Sequence, residues 1–172
     1  MANDRLAFDA EIAERLRQIR AGDDTGYTGL YELLGGRVAG YVRSRGVRDV
    51  DDVVNDVFLA AFRGFAAFDG GAARFRSWLF AIAWNKSVDW HRHAGRQVPT
   101  TDTAGGTPEI AGGDVEEDAL RSLGDDRVDQ LLATLTEDQR NVLLLRIVAD
   151  LSLQQAAEVL DKPVGAVKSL QH

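Results

Sequence analysis

The sequence predicts an all-α protein, and three observations carry that expectation. No stretch alternates apolar and polar residues for long enough to build a strand. From 50 to 65, Val50, Val53, Val54, Val57, Phe58, Ala61, Phe62 and Phe65 recur at the i, i+3, i+4, i+7 spacing of one helix face. Two capping-box patterns, Thr136-Glu-Asp-Gln139 and Ser152-Leu-Gln-Gln155, mark helix starts near the C-terminus.

The elements follow in order. Residues 6–20 and 26–46 are the first two helices. The apolar stripe from Val50 is the third, and Asp49, Asp51 and Asp52 suit the positive end of its dipole. Phe68-Asp69-Gly70-Gly71 breaks it, and a fourth helix covers about 73–94. Residues 97–125 are rich in Gly, Pro, Thr and acids, with one short helical piece near 115–123. They read as a linker between a domain at 1–96 and a smaller one at 126–172. In the smaller domain, Thr136 opens a helix that continues into the dense apolar run NVLLLRIVADL. Ser152 opens the next, Asp161-Lys162-Pro163 interrupts it, and a last helix follows with Pro163 near its first turn.

Composition limits the function. The 172 residues include no cysteine, which removes disulfides, thiolate zinc sites and cysteine nucleophiles. The N-terminus is charged and has no apolar signal core, and no apolar run is long enough to span a membrane, so a cytoplasmic protein without membrane insertion is expected. His91 and His93 lie two apart and do not share a helix face, so no metal site is expected. No P-loop, GxSxG or HExxH pattern occurs, and neither an enzyme nor a cofactor is expected.

The net charge of −7 argues against nucleic acid until its distribution is seen. Residues 71–100 carry five cations (Arg74, Arg76, Lys86, Arg92, Arg96) against Asp89 alone. Residues 101–130 carry nine acids against two bases. Local charge decides where a phosphate backbone can lie.

Two segments carry the chemistry. At 152–172 the pattern fits a helix-turn-helix. Ala157 is small enough for two helices to touch, Asp161 tolerates a left-handed turn, and Val167 seats the second helix, with Val164 one turn earlier. An ordinary helical hairpin is the plainer alternative. At 74–96, Phe75, Trp78, Leu79 and Ile82 make an apolar stripe that turns polar at Asn85, Lys86 and Asp89. Trp84 and Trp90 interleave with cations, which suits phosphates and unpaired bases. The plainer alternative makes the tryptophans packing and the arginines a solvated face.

Together these segments resemble the extracytoplasmic-function (ECF) sigma factors of bacterial RNA polymerase, a subfamily of the sigma-70 family. DVDDVVNDVFLAAFRGFAAF is similar to the region-two helix that grips the polymerase clamp, with Asn55-Asp56 where Gln-Glu is usual. RFRSWLFAIAWNKSVDWHRHAGR is similar to the helix that melts and reads the minus-ten element. LTEDQRNVLLLRIVADLSLQQAAEVLDKPVGAVKS resembles region four, which reads the minus-thirty-five element.

The resemblance implies promoter-specific transcription initiation with the polymerase core (clamp of beta-prime, flap of beta), promoter DNA and an anti-sigma factor as partners. It implies that Asp52, Val53, Asn55, Asp56, Phe58 and Arg63 face the clamp. Phe68, Asp69, Gly70 and Gly71, running on to Ala72 and Ala73, become a loop that traps a flipped base, with Asn85 beneath it. Arg74, Arg76, Lys86, Arg92 and Arg96 hold phosphates, while Val164, Gly165, Ala166, Lys168, Ser169, Gln171 and His172 meet the major groove or its backbone. Three departures stand out: Asp161 where Gly is frequent, Ala156 where a bulkier residue is usual, and a last helix that stops at His172 where the family adds basic residues. A truncated chain is the expectation there. A stand-alone helix-turn-helix regulator and a helical module for a protein partner are the competing readings.

Overall fold

The computed structural model describes residues 2–96 and 134–170, and every described element is helical. The linker with its short helical piece falls outside the described residues, as do Gln171 and His172.

Helix α1 covers Ala2–Arg20 and buries Ile12, Leu16 and Ile19, one face at i, i+4, i+7. It starts four residues earlier than the sequence predicts. Leu6 in that first part is exposed, so no apolar stripe announces it. Its contacts are polar and distant instead: Arg5 pairs with Asp150 and Asp9 with Arg76. Helix α2, Thr25–Ser44, is entered through Asp23, whose carboxylate accepts from the Thr25 N–H and hydroxyl and is thereby held below the usual carboxylate range. Gly26 lets α2 lie against α1, since a Cβ there would come 2.7 Å from the Arg15 carbonyl oxygen.

Helix α3, Val50–Gly64, buries Val53, Val54, Val57, Phe58 and Ala61. A 3₁₀ turn, Phe65–Ala67, ends it, and Phe68 is extended. Helix α4, Ala72–Arg96, seats Phe75, Leu79, Phe80 and Ala83 in the core.

In the C-terminal half, α5 is Glu137–Ile147, α6 is Leu153–Leu160 and α7 is Val164–Leu170. Thr136 and Ser152 each form the full reciprocal capping box, with Gln139 and Gln155. Asp161 turns the chain in the left-handed region (φ 52°, ψ 46°), and Ala157 and Val167 are buried where α6 and α7 meet. Ala156 is fully buried too, a small side chain in a small core.

The two halves pack on each other. α6 lies against the start of α4 and α5 approaches α2, so the buried apolar residues of both halves form one cluster. Among the described residues no helix is long and apolar enough to cross a membrane.

Candidate nucleic-acid interface

The buried stripe of α3 leaves the opposite face to solvent. Asp52, Asn55, Asp56, Leu59 and Arg63 are exposed along it at helical spacing. Leu59 is 46% exposed, a large apolar side chain among charged ones. Exposed Tyr31 on α2 extends the surface by packing its ring on Phe58, centroids 4.8 Å apart. Val53 and Phe58 do not join it. They are 7% and 2% exposed and belong to the core, because they fall on the α3 stripe that packs inward. The expectation that they face a partner is corrected.

Beyond α3 the chain builds a concavity of about 230 Å³, walled by Gly64, Ala67, Phe68, Asp69, Arg74 and Trp78. Phe68 stacks on Trp78 at 4.9 Å with ring planes 19° apart, and the edge of Phe75 supports Phe68 at 5.5 Å. Gly70 lies close under Arg74 and Phe68: a Cβ there would meet Arg74 Cδ at 2.7 Å and the Phe68 ring at 3.0 Å, so a side chain would push Arg74 aside. The Gly70 carbonyl accepts from Arg20 Nη2 of α1 at 2.7 Å, which ties the loop down. Asn85 is not among the walls. It is exposed on the Trp78 side of α4, two turns or about 10 Å further on, so it lies along the helix rather than beneath the loop.

The cations of α4 part company. Arg74 is exposed and lines the concavity. Arg92 is exposed and 3.6 Å from Asp89. Lys86 Nζ is 3.6 Å from Asp56, which links the exposed faces of α4 and α3. Arg96 ends the helix. Arg76 has no exposure at all. Two residues from Arg74 is 200° of helical rotation, which turns Arg76 toward the C-terminal half. There its guanidinium meets Asp9 at 3.1 Å and Asp150 Oδ2 at 3.1 Å, and donates to the Asp150 carbonyl at 3.1 Å. Arg76 is a junction residue, and its expected place on a phosphate-binding surface is corrected.

Trp84 and Trp90 follow the packing alternative. Arg45 lies over the Trp84 ring at 3.9 Å, and Trp90 Nε1 donates to Asp49 at 2.9 Å. Burial pulls the Arg45 guanidinium below its ordinary value, and its Nη1 donates to buried Asn141 of α5. Arg20 closes α1 and Arg45 is the C-cap just past α2, and neither stands out in the sequence as a site residue. Only a place at a helix C-terminus, where a cation suits the dipole, marks them.

On α7, Val164, Gly165, Ala166, Lys168 and Ser169 are all exposed while Val167 anchors the helix. The Ser169 hydroxyl donates back to the Gly165 carbonyl at 2.8 Å.

Residues 30–97 match the family described as Sigma-70 region 2, and residues 125–172 match Sigma-70, region 4. Over 170 residues the chain is 31% identical to the ECF RNA polymerase sigma-E factor of Haemophilus influenzae, covering 94% of this chain and 88% of that one. The chain belongs to the ECF sigma factors. A second ECF sigma factor, SigD of Mycobacterium tuberculosis, is 31% identical over 185 residues, with 100% of this chain and 81% of SigD covered. Among solved structures, CnrH in complex with the cytosolic domain of CnrY is similar at a TM-score of 0.64 and 29% identity, over 92% of this chain and 88% of that one. ECF sigma factors bind RNA polymerase core and promoter DNA, and this chain carries both regions needed for promoter-specific initiation.

Proposed function

We propose that this ECF sigma factor divides its work among the three surfaces described. The α3 face, Asp52, Asn55, Asp56, Leu59 and Arg63, docks on the clamp of beta-prime, with Val53 and Phe58 stiffening it from behind. The loop at 68–71 receives one flipped base of the melted minus-ten element against Phe68. Arg74, Lys86, Arg92 and Arg96 take the adjoining phosphates, and Asn85 contacts the strand further along α4. The α7 face presents Val164, Gly165, Ala166, Lys168 and Ser169 to the minus-thirty-five element, with Gln171 and His172 following, while the C-terminal half meets the flap of beta. The protein works in the cytoplasm, as a transcription factor rather than an enzyme.

The observation that carries this reading is the concavity beside the loop. An aromatic floor, a glycine that lets backbone come close and a cation at the rim are what an unstacked base and its phosphate require. The solved complex of CnrH with the cytosolic domain of CnrY motivates a further partner, an anti-sigma protein that covers the same faces.

In-vitro transcription with core polymerase on a genomic promoter library tests the assignment. Phe68→Ala is expected to abolish melting, read by permanganate reactivity, while core binding stays intact. Asp56→Ala is expected to weaken co-elution with core and leave the fold unchanged. Normal melting and normal core binding by both variants would overturn these roles.

A further inference from the structure

A second cavity, of about 600 Å³, lies well away from the loop at 68–71. Arg45 lines it from the end of α2, Val88, His91 and Arg92 from the later turns of α4, and Glu137 and Arg140 from the start of α5. Three guanidiniums therefore share one space, and the walls supply one carboxylate, that of Glu137. Asp89 pairs with Arg92 at 3.6 Å from outside the walls, but both side chains are exposed and such a pair is weak.

Arg45 shows the imbalance most clearly. Its Nη1 donates to the Asn141 side-chain oxygen, and its guanidinium lies over the Trp84 ring at 3.9 Å. Neither partner carries a charge. Among the described residues no carboxylate comes within ion-pairing distance of it. Burial works against its charged form, Glu137 attracts it and Arg140 repels it. The backbone around it is fixed as well. The Arg45 carbonyl can only accept, so His91 Nε2 donates to it at 2.9 Å and the imidazole is held at the wall.

Like charges brought together with too little acid among them favour an anion in the space between. Guanidinium forks match phosphate oxygens two at a time, which neither a halide nor a lone carboxylate exploits as fully. A bare phosphate would leave most of the cavity empty, since about 600 Å³ is in the range of sites for small organic ligands. Val88 and the His91 ring offer a less polar wall beside the arginines.

We propose that this cavity is a binding site for a phosphorylated small molecule, its phosphates among Arg45, Arg92 and Arg140 and its organic body along Val88 and His91. Arg92 also belongs to the cations assigned above to promoter phosphates. The test therefore contains neither DNA nor polymerase, and its outcome is independent of those roles.

Isothermal titration calorimetry on the full chain, in EDTA at about 0.15 M salt, compares pyrophosphate with ADP. Both carry a diphosphate, and ADP alone adds an organic body. Each is expected to bind at one saturable site, ADP about tenfold more tightly. Arg92→Gln and Arg140→Gln are each expected to weaken both probes about tenfold. Arg17→Gln, an exposed cation of α1 that pairs with Glu14, is the control and should leave both affinities unchanged. Absence of saturable binding by either probe overturns the site. So does a loss of affinity no larger in Arg92→Gln and Arg140→Gln than in Arg17→Gln. ADP that binds no more tightly than pyrophosphate overturns the place given to an organic body.

Discussion

At the scale of single residues the structure separates side chains that the sequence treats alike. Arg74 and Arg76 are two apart in one basic helix, yet one lines an open concavity and the other is sealed in a junction. Arg76→Ala is therefore expected to cost about 3–5 kcal/mol in chemical denaturation, because Asp9 and Asp150 lose their partner, while Arg74→Ala stays within about 0.5 kcal/mol. Tyr41 makes the opposite case. Its ring is buried against Phe80, and its hydroxyl has no partner among the described residues. Tyr41→Phe is expected to stabilise by about 1 kcal/mol. Burial also pushes the Tyr41 phenol well above its ordinary value of 10. The stability tied to its neutral form is complete below pH 10 and is lost above it, where the unfolded chain ionises and the folded one does not. The advantage of the phenylalanine variant should then widen above pH 10 in denaturation curves.

At the scale of elements, legibility followed the range of the interaction. The capping boxes at Thr136 and Ser152 need only four consecutive residues, and both were legible as sequence and form as written. The α3 stripe needs one helix, and its inward face was equally plain. The error there concerned Val53 and Phe58, where the resemblance to a clamp-binding helix overrode a periodicity that already placed them inside. The loop at 68–71 is legible as small residues between two helices. The Phe68–Trp78 stack that floors it was not, because it joins positions on two sides of the turn. Two predictions belong here. Ser152→Ala is expected to cost about 1 kcal/mol, seen as a lower midpoint in chemical denaturation. Asp161→Gly is expected to stabilise by about 1 kcal/mol, since glycine takes the left-handed turn freely and the exposed Asp161 side chain gives up little.

At the scale of the whole molecule, the sequence shows two halves but not how they pack. Each half has its own pattern, but the contacts between them join residues more than 60 apart and leave no periodic trace. Nothing local marks Asp9, Asp150 or Arg5: the fold brings Asp9 and Asp150 to Arg76, and Arg5 to Asp150. Because both halves share one buried cluster, unfolding of the wild type is expected as a single cooperative transition by calorimetry. Asp150→Asn should split it into two, the helix-turn-helix half melting first.

The shared junction also bears on how such a protein can be rebuilt from parts. Promoter readers with separate halves invite exchange: one relative's upstream reader grafted onto another's melting domain. In this chain the graft would have to carry Val148–Asp150 in register with Arg5, Arg37 and Arg76, positions outside the helix-turn-helix itself. A chimera that matches only the recognition helix would lose the packing between the halves. The same constraint acts on inheritance: a change on one side of the junction asks for a compensating change in the other half.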